Sequence, residues 1–270
     1  MDVEPPRDGI PSIDHPEFRR ADQAKYPDEN ARVLGVYLIG IAKAYPIGIL
    51  NYHEIVNDFF GAEPVVITYC PLCGSGIAFY ATVGGKNRIF GVSGLLYNSD
   101  VLLYDRETES LWSQIMTQAV TGPMKGSELE IITTINTTWK EWKHNHPHTL
   151  VLSTKTGYDR NYNSTPYVGY DDSKSLYFPV KKRNRAYHPK EKIIGVEVNG
   201  KYKAYPFSEL ERAGNEIEDS FNGKKLRVLF DNEAQAARIV NEEGLEITSY
   251  VSFWFAWAAF HKKTEVFKAK

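Results

Sequence analysis

The sequence predicts a mainly β chain of the α+β class, built as two related β-rich halves from an internal duplication, with a short helical and loop-rich middle segment. Three observations carry that expectation. Aliphatic runs bounded by Gly and Pro recur along the chain, as strands joined by tight turns would. Seventeen Tyr, 13 Phe and 5 Trp make 13% of the 270 residues aromatic, and aromatics favour sheets. Finally, Lys43-Ala-Tyr-Pro46 returns as Lys203-Ala-Tyr-Pro206, and Gly35, Gly40 and Leu50 return as Gly195, Gly200 and Leu210, all at an offset of 160 residues.

Residues 1–32 read as an N-terminal arm, with an extended, turn-rich Pro5-Pro-Arg-Asp-Gly-Ile-Pro11. The opening Met1-Asp-Val-Glu-Pro-Pro6 has neither a basic nor an apolar segment, so no signal peptide is expected in this chain. A first β-rich repeat is assigned to 33–125. In it, residues 33–46 predict a hairpin about Gly40, and Val65-Val-Ile-Thr-Tyr69 predicts a strand. Asn51-Tyr-His-Glu-Ile-Val-Asn-Asp58 predicts a helix or turn with His53 and Asn57 on one face. Gly84-Gly85 predicts a hairpin turn.

A connecting segment is assigned to 126–189. It opens on a short helix capped by Thr138, with Glu141 at the third helical position and Pro147 as its stop. A short strand at Val151-Leu-Ser153 follows, then a stretch to Pro179 rich in turn formers and tyrosines. A second, degenerate β-rich repeat is assigned to 190–270. Its Leu226-Arg-Val-Leu-Phe230 echoes the strand before Cys70 and sets Asp231 opposite that cysteine. Ala258-Ala-Phe-His-Lys-Lys-Thr264 echoes Leu102-Leu-Tyr-Asp-Arg-Glu-Thr108, which sets His261 opposite Asp105. The apolar run 250–260 predicts a core strand.

Thirty-two Lys plus Arg against 34 Asp plus Glu, with 42% hydrophobic and 24% charged residues, exclude a long disordered chain and a polybasic nucleic-acid wrapper. No apolar run approaches the ~20 residues of a spanning helix, so no transmembrane segment is expected. Lys181-Lys-Arg-Asn-Arg185 is a local positive patch, read first as solvated charge and second as a contact for an anionic partner or lipid. Aromatics do not alternate with it at regular spacing, so specific nucleic-acid recognition is not expected.

The two cysteines lie in Thr68-Tyr-Cys-Pro-Leu-Cys-Gly-Ser75. Cys-x-x-Cys spacing lets two sulfurs face each other across a turn, which serves either a reversible disulfide or two ligands to one soft metal. The motif follows a strand, and Gly74, Ser75 and Gly76 offer backbone amides to a thiolate. A structural zinc site needs about four protein ligands, and no second cysteine pair completes one. His53, shortly before the cysteine strand, is the first candidate for a third ligand. His261 is a more distant one, and His144, His146 and His148 read as solvated residues around a helix end. Asp100 is placed nearest a cleft and joins Cys70 and Cys73 as a candidate catalytic group. Asp105-Arg106 reads as a fold fixture. Neither a Gly-x-Ser-x-Gly elbow nor a phosphate loop is present.

These blocks together resemble the bacterial and archaeal family known as domain of unknown function 3179. The resemblance runs through Lys43-Ala-Tyr-Pro46, residues 51–58, Thr68-Tyr-Cys-Pro-Leu-Cys-Gly74, residues 90–100, Ser110-Leu-Trp-Ser-Gln114 and residues 253–261, nearly the whole chain. It implies an extracytoplasmic or cell-surface location, since many members carry an export or lipoprotein signal. Some members resemble selenoproteins within the cysteine motif, which implies a chalcogenolate used for reactivity or soft-metal binding.

Three functions stay open on the sequence. One is a copper or zinc protein or metalloenzyme with Cys70, Cys73 and His53 as ligands, possible redox use, and haem a lesser option because Gly74 replaces the His of the usual haem attachment motif. Another is a metal-free thiol-disulfide or peroxide oxidoreductase acting on a small molecule or redox partner. The last is a non-catalytic surface interaction module with a short structural disulfide.

Overall fold

The computed structural model describes residues 5–269, so the reading of Met1–Glu4 lies outside the described residues. The fold is mainly β. The described strands form five principal sheets of three to five strands, a five-bladed, propeller-like arrangement, with one extra two-stranded ribbon. This corrects the expectation of two duplicated β-rich halves. Strands Ile131–Ile132, Ile135–Thr138 and Leu150–Leu152, within the stretch taken as a connector, complete sheets begun by strands between residues 32 and 80. The largest core cluster joins Ile55, Val66 and Phe79 to Ile193, Phe253 and Trp257, so burial does not divide with the halves. The 160-residue offset reports a local unit, hairpin plus helix, and a sequence likeness of that length says nothing about which sheets share a core.

That unit is nonetheless well defined. Strands Arg32–Leu38 and Ile41–Pro46 pair about Ile39-Gly40 and lead into helix Ile47–His53. Strands Lys192–Val198 and Lys201–Pro206 pair in the same way and lead into helix Phe207–Ala213. Each proline is the extended residue before its helix, where a missing N–H costs nothing. At the paired glycines the backbone meets an indole: a Cβ on Gly35 would lie 2.2 Å from Trp142, and one on Gly195 2.2 Å from Trp257.

The Lys-Ala-Tyr-Pro motif has a structural purpose. Lys43 Nζ donates to both oxygens of Asp58 at 2.9 and 2.8 Å and to the Phe59 carbonyl at 2.8 Å, and the Tyr45 hydroxyl donates to Asp58 at 2.5 Å. Lys203 sits 2.6 Å from Asp219, which also accepts from Tyr205 at 2.8 Å. Alternation along the strand puts Lys and Tyr on one face, and the intervening Ala on the other. Each clamp ties a hairpin to the strand beyond its helix.

Several local expectations meet the structure directly. Thr138 caps helix Trp139–Asn145 by accepting from the Glu141 amide at 3.3 Å. Gly84 and Gly85 turn the ribbon Thr82–Val83 with Lys86–Asn87. Others are corrected. Residues 250–260 are not one strand: strand Ser249–Phe253 gives way to helix Trp254–Phe260, buried nearly all round. An apolar run alone does not distinguish a strand from a buried helix. Consequently His261 ends a helix, whereas Asp105 ends strand Asp100–Asp105, and the two are not equivalent. Helix Ile47–His53 stops at Glu54, whose φ of 57° breaks it, and Asn57 lies on strand Ile55–Phe60. Among the described residues, no helix is long and apolar enough to cross a membrane.

Removing one partner of a buried ion pair strands the other, at a cost of about 3–5 kcal/mol, whereas removing both costs far less. Lys43→Met should therefore lower the urea midpoint strongly, and the double variant Lys43→Met/Asp58→Leu should recover much of the loss. Strictly additive midpoints would show that the clamp is not a coupled pair.

Candidate metal centre

Cys70 closes strand Glu63–Cys70 and pairs with Ser75, the first residue of strand Ser75–Tyr80. Cys73 lies in the turn between them, and its amide donates to the Cys70 carbonyl at 3.1 Å and to Cys70 Sγ at 3.3 Å. Both thiols are buried and free, so the short structural disulfide expected under one hypothesis is not formed.

A second turn faces the first. Strands Phe90–Tyr97 and Asp100–Asp105 are joined by Asn98-Ser99, with φ of 52° and 65°. Both central residues of a two-residue hairpin turn of this type need positive φ, and Asn tolerates it well. The turn aims the Ser99 carbonyl at the thiols, which lie 3.2 Å (Cys73) and 3.6 Å (Cys70) from it. Asp100 follows immediately. Its ligand oxygen and the two sulfurs all lie within 4.8 Å of one another, and this is the one such group of three among the described residues.

The carboxylate is held unevenly. Asp100 Oδ2 accepts from Ser113 Oγ at 2.6 Å and from the Ile115 amide at 3.2 Å, whereas buried Oδ1 has no hydrogen-bond partner. Burial pushes the carboxyl up to about 7, against the downward pull of Ser113 and of the Ile115, Gln114 and Val101 amides. Burial, with the neighbouring Cys70 and the charge of Asp100, also drives the Cys73 thiol well above its ordinary value. Asp100 and Cys73 thus favour their protonated forms towards neutrality.

The surrounding shell was not foreseen. Tyr170 donates to the Leu72 carbonyl at 3.2 Å, Ser99 Oγ to the Phe178 carbonyl at 2.8 Å, and the Lys181 amide to Asn98 Oδ1 at 3.0 Å. The tyrosine-rich stretch after residue 158 therefore folds over both turns. From the other side, the Phe253 amide donates to the Cys73 carbonyl at 2.7 Å, and buried Tyr250 is electrostatically coupled to Asp100 and Cys73. Gln114 bridges Ser75 and Thr68 beside the motif.

The expectation of His53 as a ligand is corrected. Its Nδ1 lies 2.8 Å from the Pro11 carbonyl and its Nε2 2.6 Å from the Tyr162 hydroxyl, which Thr156 meets at 2.5 Å. Both ring nitrogens are engaged away from the thiols, and burial lowers its proton affinity. His53 instead fastens the N-terminal arm and the tyrosine-rich stretch to the core. The antiparallel pairing, with Ile55 opposite Thr68 and the Tyr69 amide donating to the Glu54 carbonyl, does return the backbone towards the thiols, but the ring of His53 is taken up by Pro11 and Tyr162 instead. His261 stacks on Tyr202 at 4.0 Å between ring centres and reaches the Tyr250 hydroxyl at 3.3 Å, and His146 packs on Trp142 at 4.1 Å. Asp105 is a fixture, accepting from Thr108 and the Trp112 indole, and Arg106 pairs with Asp14.

A carboxyl raised from 3.8 to about 7 binds a proton in the folded chain that the unfolded chain has already released, so its contribution to stability is full below pH ~4 and lost as pH rises towards 7. Metal-free protein unfolded in urea under reductant should therefore lose stability between pH 5 and 7.5, and Asp100→Asn should remove that part of the slope. An unchanged slope in the variant would place the titration elsewhere.

No curated protein and no solved structure matches the chain. A family model described as "Protein of unknown function (DUF3179)" matches residues 7–246, the span that contains both turns and the whole cysteine and aspartate cluster. With most of its length so matched, the chain belongs to the DUF3179 family.

Proposed function

We propose that this protein binds one metal ion through Cys70, Cys73 and Asp100, with zinc favoured over copper. The observation that carries the proposal is the convergence of two free thiols and a carboxyl within 4.8 Å, where the carboxyl keeps a buried oxygen without a partner. An unsatisfied buried carboxylate oxygen is costly unless it takes a proton or a cation. Two sulfur donors suit zinc and copper alike, and the hard oxygen donor tilts the set towards zinc, whose protein ligands include carboxylates. Three protein ligands leave one position of a tetrahedral ion for water or a substrate atom, as in catalytic rather than structural zinc sites.

The metal-free thiol-disulfide alternative finds less support. A thiol-exchange nucleophile works as the thiolate and needs access. Cys73 is fully buried, with its thiol pushed up rather than down. A Cys-x-x-Cys pair with both thiols free is the feature that keeps this alternative in the test.

Anaerobically purified, chelator-stripped protein should take up zinc or cobalt(II) at one ion per chain, the cobalt form showing thiolate charge-transfer absorption. The Cys70→Ser/Cys73→Ser variant should lose the ion, and Asp100→Asn should weaken it by about tenfold or more, in line with ligand-shell losses elsewhere. His53→Gln should keep full stoichiometry. Affinity should rise with pH through 7, because protons on Asp100 and Cys73 compete with the ion. A stable apo form that refuses zinc, cobalt and copper would sink the metal proposal. Rapid reversible pairing of the thiols under mild oxidation would then favour the oxidoreductase.

A further inference from the structure

The basic run at 181–185 lies at the edge of a cleft of about 800 Å³, within the size range of small-molecule sites. Its floor is shared with the candidate metal centre. Tyr250, Ile115 and Asn98 line it: Ile115 holds Asp100 through its amide, and Asn98 precedes the Ser99 carbonyl that faces the thiols. Its charge is one-sided, with Lys181, Lys182 and Lys262 against a single acid, Glu197, whose carboxylate is engaged by Tyr202. Its walls are rings. Tyr202 and His261 lie nearly parallel at 4.0 Å, and Phe260 packs edge-on to Tyr97 at 5.8 Å.

Each feature selects for chemistry. Three ammonium groups around a partly enclosed space favour an anion, and low-dielectric walls strengthen that attraction over its value in water. Aromatic walls favour a flat apolar body, and the faces of aromatic rings accept stacking at little entropic cost because the side chains are already packed. An inorganic anion would use the charges and leave the rings wet. A neutral aromatic would use the rings and leave the lysines unpaired.

We propose that this cleft binds a small organic anion with a flat, ring-bearing body, its charge among Lys181, Lys182 and Lys262 and its ring against Tyr202, Phe260 and His261. Such a ligand would rest on Tyr250, whose hydroxyl is within electrostatic reach of Asp100 and Cys73. None of the cleft's cations or rings belongs to the thiol cluster, so the site stands whether or not the cluster takes a metal.

The probe is 2-naphthoate, titrated by calorimetry into the full chain, with 2-naphthalenemethanol as its neutral counterpart and inorganic phosphate as the ringless anion. Naphthoate should bind saturably, and at least about tenfold more tightly than either control. Because the three lysines are on the surface, Lys181→Glu/Lys182→Glu/Lys262→Glu should fold normally by circular dichroism and lose naphthoate affinity about tenfold or more. Raising salt from about 0.05 to 0.5 M should weaken naphthoate and leave the alcohol unchanged. The Cys70→Ser/Cys73→Ser variant should bind naphthoate as the parent does, which separates this site from the metal proposal. Absence of saturable binding, equal binding of acid and alcohol, or an unaffected triple variant would overturn the anion assignment. Phosphate binding as tightly as naphthoate would overturn the ring.

Discussion

Two tight turns from different sheets meet inside the main core, and the rest of the site follows from that contact. A turn exposes backbone groups that a sheet would have paired, and a buried one must find partners for them elsewhere. The Cys70–Cys73 turn finds them in the Phe253 amide and the Tyr170 hydroxyl, and the Asn98-Ser99 turn in the two thiols that face the Ser99 carbonyl. Strand Ser249–Phe253, helix Trp254–Phe260 and the tyrosine-rich stretch are thereby drawn over the same spot. What remains between the turns is a small polar space holding two sulfurs, one carbonyl and one carboxyl.

The turns are steady because the strands behind them are clamped. Asp58 lies opposite Val65 on the strand that pairs with the cysteine strand, and Lys43 and Tyr45 fasten it to the neighbouring sheet. Lys43 also lies 4.2 Å from the Phe18 ring centre and 4.8 Å from that of Phe60, so its charge is enclosed by rings as well as paired. The matching clamp at Lys203, Asp219 and Tyr205 holds a hairpin that carries no cysteine. The motif is therefore a device for positioning strands, which accounts for its presence at two places with cysteines beside only one.

Periodicity and turn chemistry were legible in the sequence wherever they act locally. The hairpin about Gly40, the Thr138 cap and the Gly84-Gly85 turn each depend on a few adjacent residues, and each forms as expected. The strand-end position of Cys70 was legible for the same reason. The candidate site was half legible. Asp100 was singled out for its polar surroundings, but its approach to the thiols depends on a hairpin from another sheet and on Ser99 adopting positive φ. His53 was misplaced because the position of its backbone does not fix the direction of its ring: the antiparallel pairing sets Ile55 opposite Thr68, near the cysteines, yet both ring nitrogens meet Pro11 and Tyr162. The five-sheet arrangement was hidden altogether, since strands of two or three residues, such as Ile131–Ile132, leave almost no periodic signal.

The electrostatics of the cluster discriminate among its possible states. With all three groups protonated, the thiols can share the Ser99 carbonyl, and only Asp100 Oδ1 is left without a partner. With all three ionised and nothing between them, three like charges would lie within 4.8 Å in a buried site, which the interior does not support. Burial raises both the Asp100 carboxyl and the Cys73 thiol, and at Cys73 the neighbouring Cys70 and Asp100 add to it. Oxidising the thiols to a disulfide would remove two of the charges but would leave the carboxylate oxygen still unpaired. A divalent cation held by the three groups would neutralise the thiolates and occupy the unpartnered oxygen in one event.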